Sequence, residues 1–156
     1  METTVISGDK TSMKALLSDL KQLTKFGLSL SVVFSSVAGY LIAADVVNYS
    51  ILLLLALGGF FMVSASNVFN QIIEKDTDAI MKRTQNRPLP TGRMSVNVAL
   101  SIAILFTVLG ISILYSINPK SALFGAISIF IYTSIYTPLK PVTPLAVFIG
   151  AIPGAI

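Results

Sequence analysis

Long apolar blocks, separated by short polar connections, dominate the pattern of this chain. A helix needs about 20 mostly apolar residues to cross a bilayer. Four blocks without Lys, Arg, Asp or Glu come close to that length, and a further apolar block begins at residue 142. The pattern predicts an all-α, polytopic transmembrane helix bundle, with spans at about 27–44, 51–73, 96–117 and 121–137, and the start of a fifth span at 142–156.

The segment before the first span has a different periodicity. Five apolar residues recur at helical spacing, and the nearby lysines lie largely elsewhere on the helical wheel: Met13, Leu16, Leu17, Leu20 and Leu23. This predicts an amphipathic helix over residues 13–25, within a cytoplasmic segment 1–26. Its apolar face can lie on the membrane surface or pack against the bundle, and the pattern fits both arrangements.

Composition supports a membrane protein. Of the 156 residues, 54% are hydrophobic and 12% are charged, and mean hydropathy is +0.82, whereas a soluble protein has about 25% charged residues. The chain has no Cys and no His, which excludes thiolate catalysis, histidine bases and zinc–thiolate sites. The metal chemistry that remains is oxygen-ligated and suits Mg²⁺.

The net charge of +4 reflects membrane orientation rather than nucleic-acid binding. Ten of the eleven cations precede the first span or lie after the second or fourth span, and Lys120 alone lies on the other side. This asymmetry predicts a multi-pass protein of the cell (inner) membrane, with the N-terminus and residues 70–93 in the cytoplasm. No basic patch interleaved with aromatic residues indicates nucleic acid as a partner.

The end of the second span carries the strongest candidate chemistry. Asn70, Glu74 and Asp78 are four residues apart, so on a helix they rotate by about 40° and 80° and share one face. Two carboxylates near the negative end of a helix repel each other, and a positive partner is expected there. A divalent cation that holds a phosphorylated substrate is the natural candidate. Pro88 and the residues after it predict that this helix ends near residue 86.

Polar residues also interrupt the second span before this motif. Ser64, Ser66, Asn67 and Gln71 lie among Leu, Ile, Val and Phe, and polar groups at membrane depth need partners in the bundle or in a water-filled cavity. For Ser64, Ser66 and Gln71, hydrogen bonding between helices is the favoured interpretation. The chain ends at residue 156 within an apolar block, so we expect it to be part of a longer protein.

The motif and the residues after it resemble a known family. The positions from Asn70 to Gly92 reproduce the first acidic signature of UbiA-type intramembrane prenyltransferases: Asn70, Glu74, Thr77, Asp78, Met81, Arg83, Thr84, Arg87 and Gly92, with Pro88 directly after Arg87 in this chain. The Glu in the middle acidic position and the following Met-Lys-Arg-Thr-Gln-Asn-Arg-Pro-Leu are most similar to the branch that farnesylates haem b. Residues 23–25 and 136–140 also resemble that branch.

This resemblance implies a function and roles for individual residues. Asn70, Glu74 and Asp78 would be catalytic and would bind Mg²⁺. Arg83, Arg87 and Lys82 would bind the diphosphate of farnesyl diphosphate, with Lys82 the weaker of the three. The farnesyl group would pass to a vinyl group of haem b (protoheme IX) and give haem O for terminal oxidases, in an enzyme embedded in the lipid bilayer.

The resemblance also has limits. Family members are bundles of nine transmembrane helices with a second acidic motif, and only the first half of that fold is present in this sequence. Phe26-Gly27 follows Lys25 where many members have Pro-Arg, so a cation that could help to bind substrate is missing at that point.

Two other functions stay open at this point. The first is transfer of a prenyl group to an aromatic acceptor, such as a quinone or chlorophyll precursor, by the same diphosphate site. The second is an ion-binding transporter, which accounts for Glu74 and Asp78 but gives no reason for Arg83 and Arg87 at fixed offsets.

Overall fold

The apolar blocks form helices long enough to cross a membrane. The structure, a computed structural model, describes residues 8–155, with side chains from residue 13 onward. Four of the helices in this range have the length and apolar composition of membrane spans. The elements are α1 (Gly8–Leu23), α2 (Phe26–Ala43), α3 (Tyr49–Ile73), α4 (Lys75–Ile80), α5 (Val96–Ile117), α6 (Pro119–Phe130), a π-helix (Ile131–Tyr136), α7 (Thr137–Leu139) and α8 (Ala146–Ala155).

The predicted all-α polytopic bundle is therefore confirmed. The first three spans begin and end within about two residues of the predicted bounds, and α6, the π-helix and α7 form the fourth span continuously from Pro119 to Leu139. Part of the predicted fifth span is helical as α8. Residues 1–7 of the predicted N-terminal segment and Ile156 lie outside the described residues.

Side-chain caps fix the starts of three spans. The Oδ1 atom of Asn48 accepts hydrogen bonds from the backbone N–H groups of Ser50 and Ile51. The Ser95 hydroxyl accepts from the N–H of Val98, and Asn118 accepts from Lys120. Such caps satisfy donors that the first turn of a helix leaves unpaired.

The central helix is α3, which packs against α5 on one side and α2 on the other. At the end of the bundle where α3 ends and α5 begins, a buried cluster joins α1, α3, α5 and the loop before α5: Leu23, Val68, Leu89, Met94, Ala99 and Ala103. Large apolar side chains on the outer faces of α2 and α5 are exposed. Exposed apolar faces on membrane-length helices are the surfaces expected to contact lipid tails.

Helix α1 differs from its prediction in bounds. It extends from Gly8 to Leu23 rather than over residues 13–25, and it ends before Lys25, which has a left-handed backbone with φ 46°. Leu23 is fully buried in the bundle, whereas Met13 and Leu16 are exposed. Packing against the bundle is therefore observed at Leu23, and contact of the exposed part with the membrane surface stays a prediction.

The polar residues of α3 join it to the α1–α2 junction. The Nδ2 of Asn67 donates to the Thr24 carbonyl and to the Ser29 hydroxyl, each at 3.3 Å. The Nε2 of Gln71 donates to the Leu23 carbonyl at 2.7 Å and to the Gln22 carbonyl at 3.1 Å. The predicted hydrogen bonding between helices is thus observed for Gln71, and also for Ser64, whose hydroxyl meets that of Ser29.

The predicted end of the acidic helix near residue 86 is wrong. Helix α3 ends at Ile73, and Glu74 has φ −86° and ψ 5°, outside helical geometry. A separate short helix, α4, then carries Asp78 and ends at Ile80. The backbone N–H of Glu74 still donates to the Asn70 carbonyl at 2.9 Å, and its carboxylate contacts Asn70 of α3 and Lys140 at the end of the fourth span, as described below.

Close packing of α3 against α5 gives a first prediction. A Cβ atom on Gly110 would lie 2.8 Å from Met62 Cγ and 3.1 Å from the Met62 backbone nitrogen. Because the backbone cannot move as a side-chain tip can, we expect Gly110→Ala to lower the free energy of unfolding by about 1–3 kcal/mol, as measured by thermal unfolding in nanodiscs.

The matched control is Gly39→Ala, because a Cβ at Gly39 has no neighbour within 4 Å. It should be neutral or stabilising, since Ala is a better helix former by about 1 kcal/mol. Equal destabilisation by both substitutions would show that the close helix approach at Gly110 is not what limits stability.

Candidate diphosphate and metal site

The site begins at the end of α3, where Asn70 and Glu74 are in direct contact. The Nδ2 of Asn70 donates a hydrogen bond to Glu74 Oε2 at 2.8 Å. On its other side, Asn70 Oδ1 accepts a hydrogen bond from the Thr137 hydroxyl at 3.2 Å. Asn70 is only 2% exposed, so both ends of its amide are committed to protein partners.

The second oxygen of Glu74 is held by a cation from the end of the fourth span. Lys140 Nζ lies 2.9 Å from Glu74 Oε1 and forms both a hydrogen bond and an ion pair. Partial burial pulls the pKa of Lys140 down, but the hydrogen bond and charge of Glu74 outweigh that effect and leave the pKa above its ordinary value. Lys140 therefore stays charged at neutral pH beside the glutamate.

Asp78 has its own cation. Arg87 donates through Nη1 to Asp78 Oδ2, and the Asp78 side chain is almost completely buried. The hydroxyl of the buried Thr84 donates to the Asp78 carbonyl at 3.0 Å. These contacts fold the loop after α4 back onto the acidic residue, so that Arg87, nine positions later in the sequence, lies against it.

A cavity of about 350 Å³ opens beside these groups. Both acidic side chains line it, together with an arginine of the loop after α4 and the end of the fourth span: Ile73, Glu74, Thr77, Asp78, Met81, Arg83, Thr137, Pro138, Lys140 and Pro141. Lys82 is exposed and lies outside this lining. The predicted diphosphate ligands thus separate, with Arg83 lining the cavity, Arg87 paired with Asp78 and Lys82 outside both arrangements.

The predicted single face of three oxygen ligands is only partly observed. Asn70 and Glu74 touch, and Glu74 and Asp78 line one cavity, but Asn70 lies outside that lining and the helix is broken between Asn70 and Asp78. Among the residues whose side chains are described, no three acidic groups gather in a way that could hold a metal ion.

The donor set nevertheless fits Mg²⁺. This ion is usually held by one or two carboxylates, while waters and substrate phosphates complete its shell. Glu74 and Asp78 supply hard oxygen donors beside a cavity large enough for a phosphate group. The positive partner that two neighbouring carboxylates require is supplied in this structure by Lys140 and Arg87, and a bound cation would compete with them.

Three residues at the site have no chemical role in the prediction from sequence. The charge pattern gives Lys140 and Lys25 a role in membrane orientation only, and Thr137 lies in a predicted turn. Lys25 is largely buried, and its pKa is lowered first by that burial and then by the charge of Arg87. The resemblance of residues 136–140 to known prenyltransferases was the available signal for Lys140 and Thr137, but it gave no partner for either side chain.

An apolar groove of about 280 Å³ lies between the helices on the membrane side of the site. It is lined by residues of α2, α3, the fourth span and α8, mostly without polar atoms: Leu28, Val32, Met62, Val63, Ser66, Asn67, Gly125, Ser128, Ile129, Tyr132, Gly150, Pro153 and Gly154. Tyr132 connects the two regions, because it lines the groove while its carbonyl accepts a hydrogen bond from Thr137 at 2.7 Å.

Comparison with known proteins decides the family. Residues 32–156 match the UbiA prenyltransferase family. The chain belongs to that family. The four membrane-length helices found between residues 8 and 155, together with UbiA membership, make it a multi-pass membrane protein. No solved structure matches the chain.

Curated relatives within the UbiA family are similar over most of the chain. A protoheme IX farnesyltransferase of Christiangramia forsetii is 64% identical over 142 residues, which cover 91% of this chain and 47% of the relative. The protein of that name from Flavobacterium psychrophilum is 60% identical, with coverage of 92% and 49%. The mitochondrial protoheme IX farnesyltransferase of Homo sapiens is 37% identical, with coverage of 88% and 31%. The chain thus spans about half or less of the length of these relatives.

The lowered pKa of Lys25 gives a second prediction for this UbiA protein. A lysine whose folded pKa is lowered binds its proton less well when folded than when unfolded, so its charge destabilises the fold below the folded pKa. Lys25→Gln keeps most of the side-chain length but removes the charge. We expect it to raise Tm at neutral pH, with the difference from wild type shrinking as pH rises towards the ordinary lysine range.

Lys21→Gln is the matched control, because Lys21 is an exposed lysine in the last turn of α1. Its pH profile should parallel that of wild type. A Lys25→Gln variant whose Tm is lower than wild type at neutral pH would mean that the Lys25 charge stabilises the fold, contrary to this assignment.

Proposed function

We propose that this chain forms the diphosphate-binding part of an enzyme that transfers a farnesyl group from farnesyl diphosphate to a vinyl group of haem b, giving haem O. The single observation that carries the proposal is the adjacency of two regions of opposite character. A cavity lined by acids and cations adjoins an apolar groove, and Tyr132 connects them. A prenyl diphosphate has the same division, with a charged head on an apolar tail.

The cations of the cavity suit the diphosphate head. Arg83 lines the cavity and has no acidic partner among the described ion pairs, so its guanidinium is available for bidentate contact with phosphate oxygens. Arg87 and Lys140 hold the acidic side chains and can turn to phosphate oxygens when a metal ion takes those carboxylates. Lys82, which is exposed, would act through its charge at the entrance.

Mg²⁺ would be held by Glu74 and Asp78, with Asn70 as a third oxygen donor. When bound, it would supply positive charge that stabilises the departing diphosphate. The remaining contributions come from the chain itself. Arginine and lysine side chains orient the diphosphate, and the apolar groove holds the tail and keeps water from the reacting carbon.

In the proposed reaction, a C–O bond of farnesyl diphosphate is replaced by a C–C bond to haem. The C1–O bond of farnesyl diphosphate breaks, and its electron pair leaves with the diphosphate. The π electrons of a haem vinyl group form the new C–C bond to C1, and water adds to the resulting cation and releases a proton, which gives the hydroxyethylfarnesyl substituent. The protein names of the relatives support haem as acceptor.

The proposal also specifies the membrane in which the protein lies and the side of that membrane on which the site opens. The protein would lie in the cell (inner) membrane with the site on the cytoplasmic side. Three ion pairs gather cations from two segments at one end of the bundle: Arg93 with Asp19, Arg87 with Asp78, and Lys140 with Glu74. This concentration supports the cytoplasmic assignment of that end by the positive-inside rule.

The principal test uses the gene product that contains this chain, reconstituted with haem b, farnesyl diphosphate and Mg²⁺. Mass spectrometry should detect haem O. We expect Asp78→Asn to reduce turnover by about 10²–10³-fold while the protein stays inserted in the membrane, because the buried carboxylate interacts with the charged head.

Asp76→Asn is the matched control, since Asp76 is exposed two residues away on the same short helix and should leave turnover unchanged. Full activity of Asp78→Asn would remove Asp78 from the site. Farnesyl transfer to a quinone or chlorophyll precursor instead of haem would keep the diphosphate site and overturn the acceptor.

A second measurement separates prenyl transfer from ion binding alone. If the cavity takes the diphosphate head, farnesyl diphosphate should protect the loop after α4 from proteolysis only when Mg²⁺ is present, and Arg83→Gln should weaken that protection about tenfold or more. Lys120→Gln, on the opposite side of the membrane, is the control. Protection by Mg²⁺ alone, with no added effect of farnesyl diphosphate, would favour an ion-binding protein.

A further inference from the structure

The Thr137 hydroxyl lies within hydrogen-bond distance of two acceptors but has only one proton to donate. Its Oγ1 lies 2.7 Å from the Tyr132 carbonyl and 3.2 Å from Asn70 Oδ1, and both partners are acceptors. A threonine hydroxyl has one proton to donate and two lone pairs that accept. Thr137 is 1% exposed, so in this arrangement its one proton is shared between the Tyr132 carbonyl and the buried amide oxygen of Asn70.

Asn70 can remove that conflict by turning its amide over. The oxygen and nitrogen of an asparagine amide exchange places when the group rotates by half a turn, with little change in heavy-atom positions. In the reversed orientation, Asn70 Nδ2 donates to Thr137 Oγ1, and the hydroxyl gives its whole proton to the Tyr132 carbonyl. Each donor on that side of Asn70 then has its own acceptor.

The reversed orientation places an oxygen against Glu74. Asn70 Oδ1 would then lie about where Nδ2 now lies, 2.8 Å from Glu74 Oε2, and two oxygens at that distance repel unless a cation lies between them. Octahedral Mg²⁺ with bonds of about 2.0–2.1 Å holds neighbouring ligand oxygens about 2.9 Å apart. The observed spacing is therefore that of adjacent ligands on one ion.

The two carboxylate oxygens of Glu74 have different partners. Oε1 is held by Lys140 at 2.9 Å, whereas Oε2 faces Asn70. The lysine thus fixes the carboxylate so that one oxygen remains directed towards the amide. In the absence of a diphosphate, a cation at Oε2 replaces the hydrogen bond from Asn70 Nδ2 and leaves the contact between Lys140 and Glu74 Oε1 in place.

We propose that Thr137 is a positioning residue that sets the direction of the Asn70 amide. It donates to Asn70 when no cation is bound, and it accepts from Asn70 when Asn70 Oδ1 and Glu74 Oε2 together bind a divalent cation. This inference rests on the metal site of the proposed function, and it adds a role for a side chain of the fourth span that itself contacts no metal.

The test measures Mn²⁺ binding by electron paramagnetic resonance on the gene product in nanodiscs, without prenyl or haem substrate. Thr137→Val keeps the shape of the side chain but removes the acceptor that the reversed amide needs. We expect it to weaken Mn²⁺ affinity at least about tenfold, as is usual for partners that orient a metal ligand. Thr137→Ser keeps the hydroxyl and should retain wild-type affinity.

Thr133→Val is the matched control. The Thr133 hydroxyl also donates to a carbonyl within the fourth span, that of Ile129 at 2.7 Å, so the substitution removes the same kind of hydrogen bond away from Asn70. A second control is the Asn70→Asp background. A carboxylate presents oxygen in either orientation, so Thr137→Val should lose most of its effect there, which a merely structural role of Thr137 would not predict.

The outcomes distinguish this inference from the proposed function. If Glu74→Gln abolishes Mn²⁺ binding but Thr137→Val binds as wild type does, the role of Thr137 is overturned and the metal site stands. Equal weakening by Thr137→Val in the wild-type and Asn70→Asp backgrounds also overturns it. If the wild-type protein binds no Mn²⁺, the metal site of the proposed function fails, and the role of Thr137 fails with it.

Discussion

The whole arrangement depends on one constraint, which is that polar groups surrounded by lipid-facing helices must find partners inside the protein. The second half of α3 carries a series of such groups, and their hydrogen bonds lead to two parts of the fold. Among the described residues, Gln71 Oε1 is the buried side-chain atom that has no hydrogen-bond partner. Asn67 and Gln71 bond to carbonyls at the α1–α2 junction, and Asn70 bonds to Thr137 of the fourth span. These contacts are the reason that α1, α2, α3 and the fourth span meet around one site.

The same constraint determines the electrostatics of the site. Two carboxylates at the membrane boundary would be unstable alone, and Lys140 and Arg87 neutralise them. Under the proposed function, ligand binding becomes an exchange of partners, in which a metal ion takes the carboxylates and the diphosphate takes the cations. Such an exchange avoids a stage at which buried charges of one sign stand unpaired, whose cost would be several kcal/mol per ion.

The sequence was sufficient to predict the span positions and to single out Asn70, Glu74 and Asp78, because apolar block length and four-residue spacing are local properties. It could not predict the helix break at Glu74, or the ion pair of that side chain with Lys140, which lies 66 positions later in the chain. The burial of Lys25 at the site could not be predicted either, since it follows from the turn between α1 and α2. Contacts across long sequence separations leave no trace in local periodicity.

The π-helix in the fourth span has one more consequence. Its wider turns accommodate an additional residue between Ile131 and Tyr136, and each residue of an ordinary α-helix turns the chain by about 100°. In a homologue with a single deletion in this stretch, the end of the span near Thr137 would therefore be rotated, and its threonine and lysine would point to different neighbours. The rotation of this one span about its axis thus decides whether Thr137 and Lys140 meet Asn70 and Glu74 of α3.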